Sequence, residues 1–169
     1  MKRLFIMCGI AFSGKTTVAK QLVQAVGCAY VSLDDINAER GLHGGEGIAV
    51  GEWERTHGIA LERIRGLMAR GESIVLDDTN CFRWLRDRFC EIACENGYVA
   101  ELVYLEVSLE EVQARMVRNR MKAARPAIES NVFGEHVENF EPPQTDEVAT
   151  VLRSAEDISR WIESCCRPS

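Results

Sequence analysis

Short apolar runs alternate with amphipathic segments along most of this chain. The five runs are residues 3–8, 29–33, 73–78, 99–107 and 147–152. Their length and nearly unbroken hydrophobicity are typical of parallel strands that are buried on both faces. Alternation of such strands with helices predicts a three-layer α/β domain with a five-stranded parallel sheet and helices on both faces. We expect residues 1–169 to form one such domain.

The segments between the runs have helical periodicity. The first has an apolar stripe at Val18, Leu22, Val23 and Val26 and ends at Gly27, a usual residue at a helix C-terminus. Further helices are predicted at 52–70, 82–96, 108 to about 120, a stretch that ends near 139, and after the capping sequence SAED at 154–157. Residues 34–51 are polar and glycine-rich, which predicts a loop or a broken helix.

Composition narrows the classes of protein. The net charge of −6 disfavours a dedicated nucleic-acid binder, because binding to phosphate backbones depends on Lys and Arg. The apolar start of the chain stops at Gly9 without a cleavage-site pattern, and no apolar run reaches the roughly 20 residues of a membrane span. We therefore expect a cytoplasmic protein with no membrane partner. The seven cysteines, an odd number, are expected to be reduced thiols.

The sequence GIAFSGKTT, residues 9–17, follows the first predicted strand and opens the first predicted helix. Gly9, Gly14, Lys15 and Thr16 match the phosphate-binding P-loop pattern. Glycines allow the backbone N–H groups to surround a phosphate, and the helix N-terminus adds free donors and a positive dipole. The lysine reaches the β- and γ-phosphates, and the threonine hydroxyl can bind Mg²⁺. The loop therefore predicts ATP and Mg²⁺ as cofactors. The predicted nucleotide-binding residues are Gly9, Ala11, Phe12, Ser13, Gly14, Lys15, Thr16 and Thr17.

Carboxylates follow two other predicted strands. Asp34 and Asp35 come after the second strand, and Asp77 and Asp78 come after the third, close to Asn80. Ligands of parallel α/β sheets bind at the carboxyl ends of the strands, so we expect these side chains to share one edge with the P-loop. Two adjacent carboxylates beside a phosphate site favour a bound cation.

Arginines cluster further along the chain. Arg115, Arg118, Arg120 and Arg125 lie in and after one predicted helix, before Pro126. A break in this segment is typical of a hinged lid, at about residues 112–130, that places cations on a transferring phosphoryl group. The alternative is a solvated helix face, since Glu110 and Glu111 are close enough to pair with some of these arginines.

The P-loop occurs in several classes of protein. A switch GTPase is disfavoured because no Asn in the chain is followed by Lys, as guanine recognition in that class requires. A motor ATPase is disfavoured by the length of the chain. A compact kinase needs an acceptor-side carboxylate, a Mg²⁺-side carboxylate and cations over the phosphoryl group, and the sequence has candidates for all three.

Five stretches together resemble one group of AAA-type P-loop kinases: GIAFSGKTT, LDDIN, LDDTN, RMVRNR and FEPP. This group includes the polynucleotide 5′-hydroxyl kinases, the zeta-toxin kinases and small antibiotic phosphotransferases, and the resemblance covers about residues 3–145. It implies that Asp34 is the catalytic base and a Mg²⁺ ligand with Thr16, and that Asp78 lies on the Mg²⁺ or substrate side. Lys15 and the lid residues Arg115, Arg118 and Arg120 complete the catalytic set. The implied substrate-side residues are Asp35, Asn37, Asp78 and Asn80.

One departure from that group bears on the acceptor. The group often has an arginine two residues after its Asp pair, whereas this chain has Asn37 there and Arg40 further on. Loss of that cation favours a neutral or cationic small-molecule acceptor, whose hydroxyl receives the γ-phosphate of ATP. Two alternatives stay open: a polynucleotide 5′-hydroxyl kinase and a non-catalytic ATP-binding module. The pattern leaves the acceptor's identity and the oligomeric state open, because acceptor pockets are built on variable loops.

Overall fold

A computed structural model of the protein describes residues 1–42, 48–122 and 130–167, with the backbone alone at 120–122 and 130–132. Its helices and strands within these ranges, in chain order, are β1 (Arg3–Cys8), α1 (Lys15–Val26), β2 (Ala29–Ser32), α2 (Leu33–Glu39), α3 (Val50–Ala69), β3 (Ile74–Asp77), α4 (Arg83–Glu95), β4 (Val99–Leu105), α5 (Leu109–Lys122), α6 (Ser130–Glu138), β5 (Ala149–Leu152) and α7 (Ala155–Cys165). No helix in the described part of the chain is both long and apolar enough to cross a bilayer.

The five strands form one parallel sheet in the order β2-β3-β1-β4-β5. The predicted fold class is therefore confirmed. The strand β1 is central, with Leu4 opposite Ile74 of β3 and opposite Ala100 of β4. Because all strands run the same way, the segments that follow β1, β2 and β3 leave the sheet at the same edge.

Alternation of side chains along β1 divides the core into two layers. Leu4 and Ile6 face a cluster that includes residues of α2, α3 and α4. Phe5 and Met7 face α1 and α7, where Phe5 packs edge-on against Trp161 at a ring distance of 5.9 Å. Both faces of the sheet are thus covered, as the unbroken apolar runs predict.

A third, smaller cluster joins the P-loop to the later helices. Ile10 of the loop is buried with Val112 and Met116 of α5 and with Phe133 of α6. Ala11 and Phe12 pack against the same cluster. The middle of the phosphate loop is therefore part of a hydrophobic contact with α5 and α6, which the sequence pattern did not predict.

The segment after β2 differs from its prediction. Leu33, assigned to the second strand, is the first residue of α2, and Ser32 caps that helix by accepting a hydrogen bond from the Asp35 N–H. Asp34 and Asp35 occupy the first helical turn, where acidic side chains are favoured by the helix dipole. Ser32 therefore caps the helix, and Asp34 and Asp35 lie within its first turn and not on an extended chain.

A buried ion pair fastens the segment before β5 to α4. Arg86 is 1% exposed and its Nε donates to Glu147 Oε1 at 2.6 Å. Its Nη1 also donates to the carbonyl oxygens of Asn80 (3.0 Å) and Glu141 (2.9 Å). One guanidinium therefore connects the loop after β3, the start of α4 and the segment 141–147.

We expect Arg86→Met to lower the free energy of unfolding by about 3–5 kcal/mol, because it leaves the Glu147 carboxylate buried without its cationic partner. Arg83→Met is the matched control, since Arg83 pairs with Asp146 at 2.8 Å on an exposed surface. Loss of that pair should lower the stability by less than about 1 kcal/mol. Urea denaturation measures both variants, and equal effects would mean that burial does not determine the strength of the Arg86 pair.

Candidate active site

The loop between β1 and α1 adopts backbone conformations that favour glycine. Gly9 has φ 145° and Gly14 has φ 105°, and Phe12 between them also has a positive φ of 62°. A Cβ on Gly9 would lie 2.9 Å from the Leu105 carbonyl oxygen and 2.9 Å from Ser13 Oγ. Gly9 is therefore required by both its conformation and its surroundings.

The N-terminus of α1 suits an anion. No side chain caps it, and its first turn contains no acidic residue, so its N–H groups and the positive end of its dipole are available. The hydroxyl of Ser13 is buried without a hydrogen-bond partner in the described part of the chain. Thr16 is half-buried and Thr17 is exposed at this end of the helix. These features fit a phosphate group.

Lys15 lies buried between the loop and the acidic residues. Its Nζ donates to the Ile10 carbonyl oxygen at 2.9 Å. Burial lowers the pKa of the ammonium, and the charges of Asp77 and Asp78 oppose this effect in part. The cation is thus held inside the loop by one carbonyl oxygen and by the nearby carboxylates.

Asp34 lies in the same electrostatic environment. Desolvation in the cleft and repulsion by Asp78 and Asp77 raise the pKa of its carboxyl, although the residue is exposed to solvent. Lys15 acts in the opposite direction. This coupling, together with the hydrogen bond from Gly9 N–H to the Thr79 carbonyl oxygen at 3.2 Å, confirms that the ends of β1, β2 and β3 meet at one edge.

Asp77 and Asp78 have different surroundings. Asp77 is buried, and it accepts a hydrogen bond of 2.6 Å from the Tyr30 hydroxyl. Asp78 Oδ2 lies 3.2 Å from the Asn80 N–H, which donates to it, and 3.8 Å from His57 Nε2. The first of the two carboxylates is therefore tied to β2, and the second is tied to α3.

His57 reaches Asp78 from α3. Its Nδ1 lies 2.8 Å from the Trp53 carbonyl oxygen, so Nδ1 carries a proton and donates to that oxygen. The distance of 3.8 Å from Nε2 to Asp78 is that of an ion pair. Burial lowers the pKa of His57, but the Asp78 charge outweighs it and the net pKa is raised. Burial raises the pKa of Asp78, but His57 and the backbone N–H donors lower it by more, so the net pKa is lowered and Asp78 is held ionised.

Two predicted substrate residues make contacts inside the protein. Asn37 is buried, and its Oδ1 accepts a hydrogen bond from the Thr56 hydroxyl of α3. Asn80 is fully buried with φ 44°, and its Nδ2 donates to the Met7 carbonyl oxygen at 2.7 Å. Asp35 is exposed on α2. A role of these three residues in binding the acceptor stays a prediction.

The arginines of α5 divide into two kinds. Arg115 Nη1 donates to the carbonyl oxygens of Ser13 (2.7 Å) and Phe12 (3.3 Å), and Arg115 Nε donates to Glu111 at 2.9 Å. Arg118 is exposed and pairs with the same carboxylate at 3.1 Å. The side chain of Arg120 and all of Arg125 lie outside the described residues, as does much of the predicted lid. Arg115 is thus the arginine that the described structure brings to the P-loop.

The carboxylates beside the P-loop are candidate ligands for Mg²⁺. Desolvation raises the pKa of Asp34, and the negative charges of Asp78 and Asp77 raise it further; a cation would relieve that repulsion. No group of three His, Cys, Asp or Glu side chains in the described ranges is arranged to hold a metal by itself. Mg²⁺ in phosphate-transfer sites is typically held by one or two protein carboxylates together with phosphates and water. The residues present fit that mode of binding.

Sequence reasoning did not identify two histidines of this site. His57 lies one helical turn after Trp53, within a helix that has no motif. His136 lies on α6, where its Nε2 accepts a hydrogen bond from the Ala11 N–H at 3.3 Å. Both reach the site from distant parts of the chain. No motif or spacing in the sequence marks either histidine.

A family model described as AAA domain matches residues 4–143. Shikimate kinase 2 of Pectobacterium carotovorum subsp. carotovorum (strain PC1) is 25% identical over an alignment of 177 residues, which covers 96% of this chain and 84% of that protein.

Solved kinase structures have the same fold. A gluconokinase from Sinorhizobium meliloti 1021 has a TM-score of 0.69 at 18% identity, covering 96% of this chain and 88% of its own. The Mycobacterium tuberculosis APS kinase CysC, in complex with AMPPNP and APS, has a TM-score of 0.69 at 14% identity, covering 96% and 94%. These similarities support a nucleotide-binding P-loop and a kinase, without specifying the acceptor.

We expect the His57 imidazole to titrate above its ordinary pKa of about 6.5, because Asp78 stabilises the imidazolium. The ion pair therefore stabilises the protein fully below the ordinary pKa, and this stabilisation is lost as the pH rises through the raised pKa. NMR titration of the imidazole protons measures the effect, and Asp78→Asn should lower the His57 pKa. His136 is the internal control, since burial and Lys15 lower its pKa. A His57 pKa that Asp78→Asn leaves unchanged would contradict the assignment.

Proposed function

The chain belongs to the AAA domain family, and on that premise we propose that it is an ATP-dependent kinase that transfers the γ-phosphate to a hydroxyl of a small-molecule acceptor. The observation that carries the proposal is the cluster at the ends of β1, β2 and β3. There Lys15 is buried with Asp77 and Asp78, and Asp34 is close enough for its pKa to respond to all three charges. A cation for phosphates and a carboxylate for a hydroxyl thus share one cleft.

Asp34 is the proposed catalytic base. Its raised pKa brings its basicity nearer to the operating pH, while the carboxyl remains able to ionise. In this role it accepts the proton of the acceptor hydroxyl and holds that oxygen in position for transfer. Phosphoryl transfer has a loose transition state, so positioning accounts for much of the effect of a base.

The other residues have electrostatic roles in this proposal. The P-loop N–H groups and Lys15 bind the phosphates, and Arg115, which already contacts the loop at Ser13, stabilises negative charge on the transferring group. Thr16, Asp34 and Asp78 would hold Mg²⁺, which neutralises phosphate charge when bound. The pairing of Asp78 with His57 keeps that carboxylate ionised and oriented.

The charge balance supports a neutral or cationic acceptor. Arg40 is the cation nearest in sequence to the position where related kinases have an arginine. Its Nη1 donates to the Glu52 carbonyl oxygen (2.7 Å) and to Thr56 Oγ1 (2.6 Å), and its Nη2 pairs with the Glu52 carboxylate. The guanidinium of Arg40 therefore makes its contacts within the protein, where it connects the end of α2 to α3. The negative charges of Asp34 and Asp78 would repel an anionic acceptor, and Arg40 would not offset this repulsion.

The test is a screen of γ-phosphate transfer from labelled ATP to metabolites, aminoglycosides, peptide antibiotics, nucleosides and oligonucleotides. With the acceptor found, Asp34→Asn should reduce the transfer rate by about 10²–10⁴, because it removes the base but preserves the size of the side chain. ATP affinity should change little. Radiolabel transfer and calorimetric titration with ATP measure the two quantities separately.

Asp35→Asn is the matched control for this variant. Asp35 is adjacent in the same helical turn and also exposed, so it tests whether general loss of acidic charge explains the effect. We expect its rate at saturating acceptor to remain within a few-fold of the wild type, because loss of a substrate-side contact raises the KM for the acceptor but leaves the base in place. Transfer that survives in Asp34→Asn and is lost in Asp35→Asn would reverse the assignment. ATP binding without turnover or transfer to any acceptor would favour a non-catalytic nucleotide-binding module.

One observation favours a polynucleotide 5′-hydroxyl kinase as the second candidate. Phe82 and Trp84 follow the Asp78–Asn80 segment and stack with an interplanar angle of 11° and a ring distance of 6.1 Å. Trp84 is 57% exposed. An exposed indole stacked on a half-buried phenyl ring, a few residues after Asp78, is the kind of surface on which nucleobases stack.

Oligonucleotide phosphorylation distinguishes the two candidates. If nucleic acid is the acceptor, phosphorylation of a 5′-hydroxyl oligonucleotide should fall steeply between about 50 and 200 mM salt, and Trp84→Ala should weaken binding by roughly 1–3 kcal/mol. If a small molecule is the acceptor, oligonucleotides remain unphosphorylated at low salt. Trp84→Ala then leaves transfer to the small molecule unchanged.

A further inference from the structure

One peptide group of the P-loop is held at both of its ends. The carbonyl oxygen of Ile10 accepts a hydrogen bond of 2.9 Å from Lys15 Nζ. The N–H of Ala11, which belongs to the same peptide group, donates to His136 Nε2 at 3.3 Å. The two bonds point in opposite directions, because the C=O and N–H of a trans peptide are antiparallel. Lys15 and His136 therefore lie on opposite sides of this group.

His136 can accept this hydrogen bond only in its neutral form. An N–H donor requires that Nε2 carries no proton, which places the ring proton on Nδ1. Burial lowers the pKa of His136, the charge of Lys15 lowers it further, and Asp78 opposes them. The neutral imidazole is thus the form that this position favours, and it makes a stable acceptor for the Ala11 N–H.

The helix that carries His136 is anchored beside the loop. Phe133, one turn earlier on α6, is buried with Ile10 of the P-loop and with Val112 and Met116 of α5. Val137 packs against the same cluster. The apolar contact sets the distance between α6 and the loop, and the hydrogen bond from Ala11 sets the orientation of the peptide.

We infer that His136 is a positioning residue of the phosphate site, which acts by orienting the Ile10–Ala11 peptide so that its carbonyl oxygen faces Lys15. Rotation of this peptide would turn the Ala11 N–H toward the Lys15 ammonium, and the cation would then lose its carbonyl partner. With His136 in place the loop holds its catalytic lysine in one position before nucleotide arrives. The inference rests on the nucleotide-binding part of the proposed function.

The test compares nucleotide affinity in His136→Leu and His136→Gln by calorimetric titration with Mg²⁺ and AMPPNP. Leucine preserves the bulk but has no acceptor, so affinity should fall roughly tenfold, the effect of one lost hydrogen bond. Glutamine places an amide oxygen near the position of Nε2, so affinity should stay within about threefold of the wild type. Rescue by glutamine is a result that a merely space-filling histidine would not produce.

A second measurement needs no nucleotide. Amide hydrogen exchange of residues 9–14 should be faster in His136→Leu than in the wild type and should be restored in His136→Gln. Glu138→Gln, an exposed substitution on the same helix, is the control and should change neither affinity nor exchange. If His136→Leu does not fold, His136→Asn replaces it, because its shorter side chain has the same amide acceptor but does not reach Ala11.

Two results would overturn the inference: unchanged affinity and exchange in the variant that lacks the acceptor, or equal weakening in the glutamine variant. A wild-type protein that fails to bind AMPPNP would instead contradict the proposed function. In that case the exchange measurement still decides whether His136 orients the loop.

Discussion

The parallel pairing of β1 with β3 and β4 is the constraint on which the rest of the structure depends. It brings the P-loop beside the segment 77–80, since Gly9 directly follows β1 and donates to the Thr79 carbonyl oxygen. Pairing of β2 with β3 then adds Asp34 at the same edge. A change in this order would separate the phosphate loop from the carboxylates, even with every local motif intact.

This arrangement concentrates charge in a partly desolvated cleft. Lys15, Asp77 and Asp78 are largely removed from water, and burial of a charge is unfavourable unless partners compensate for it. Three contacts compensate here. The Tyr30 hydroxyl donates a hydrogen bond to Asp77, His57 pairs with Asp78, and the Ile10 carbonyl oxygen accepts a hydrogen bond from Lys15. Asp34 has no hydrogen-bond or ion-pair partner among the described residues, and its pKa is raised. The charges of Lys15, Asp77 and Asp78 are therefore compensated by partners within the protein. The charge of Asp34, the proposed base for the acceptor, is not.

The sequence predicted the fold well because its signals are local or periodic. Five apolar runs correspond to the five strands, and the capping sequence at 154–157 starts α7 through Ser154 and Asp157 as predicted. The prediction failed at Leu33, where a strand-like run continued into a helix. There the Ser32 cap and burial of Leu33 and Ile36 against α3 and its neighbours outweighed the β preference of the run.

The sequence by itself determined the phosphate loop, the parallel sheet and the edge at which the carboxylates meet, because the spacing within the loop is local and the alternation of strands with helices makes the strands parallel. Only the tertiary structure decided which distant side chains complete the site. His57 pairs with Asp78, 21 positions later, and His136 accepts from Ala11, 125 positions earlier. Arg86 donates to the buried carbonyl oxygen of Asn80. Nothing in the sequence around these three residues specifies those partners. Such contacts depend on how α3, α4 and α6 pack against the sheet, which is set by side-chain volume and burial over the whole core.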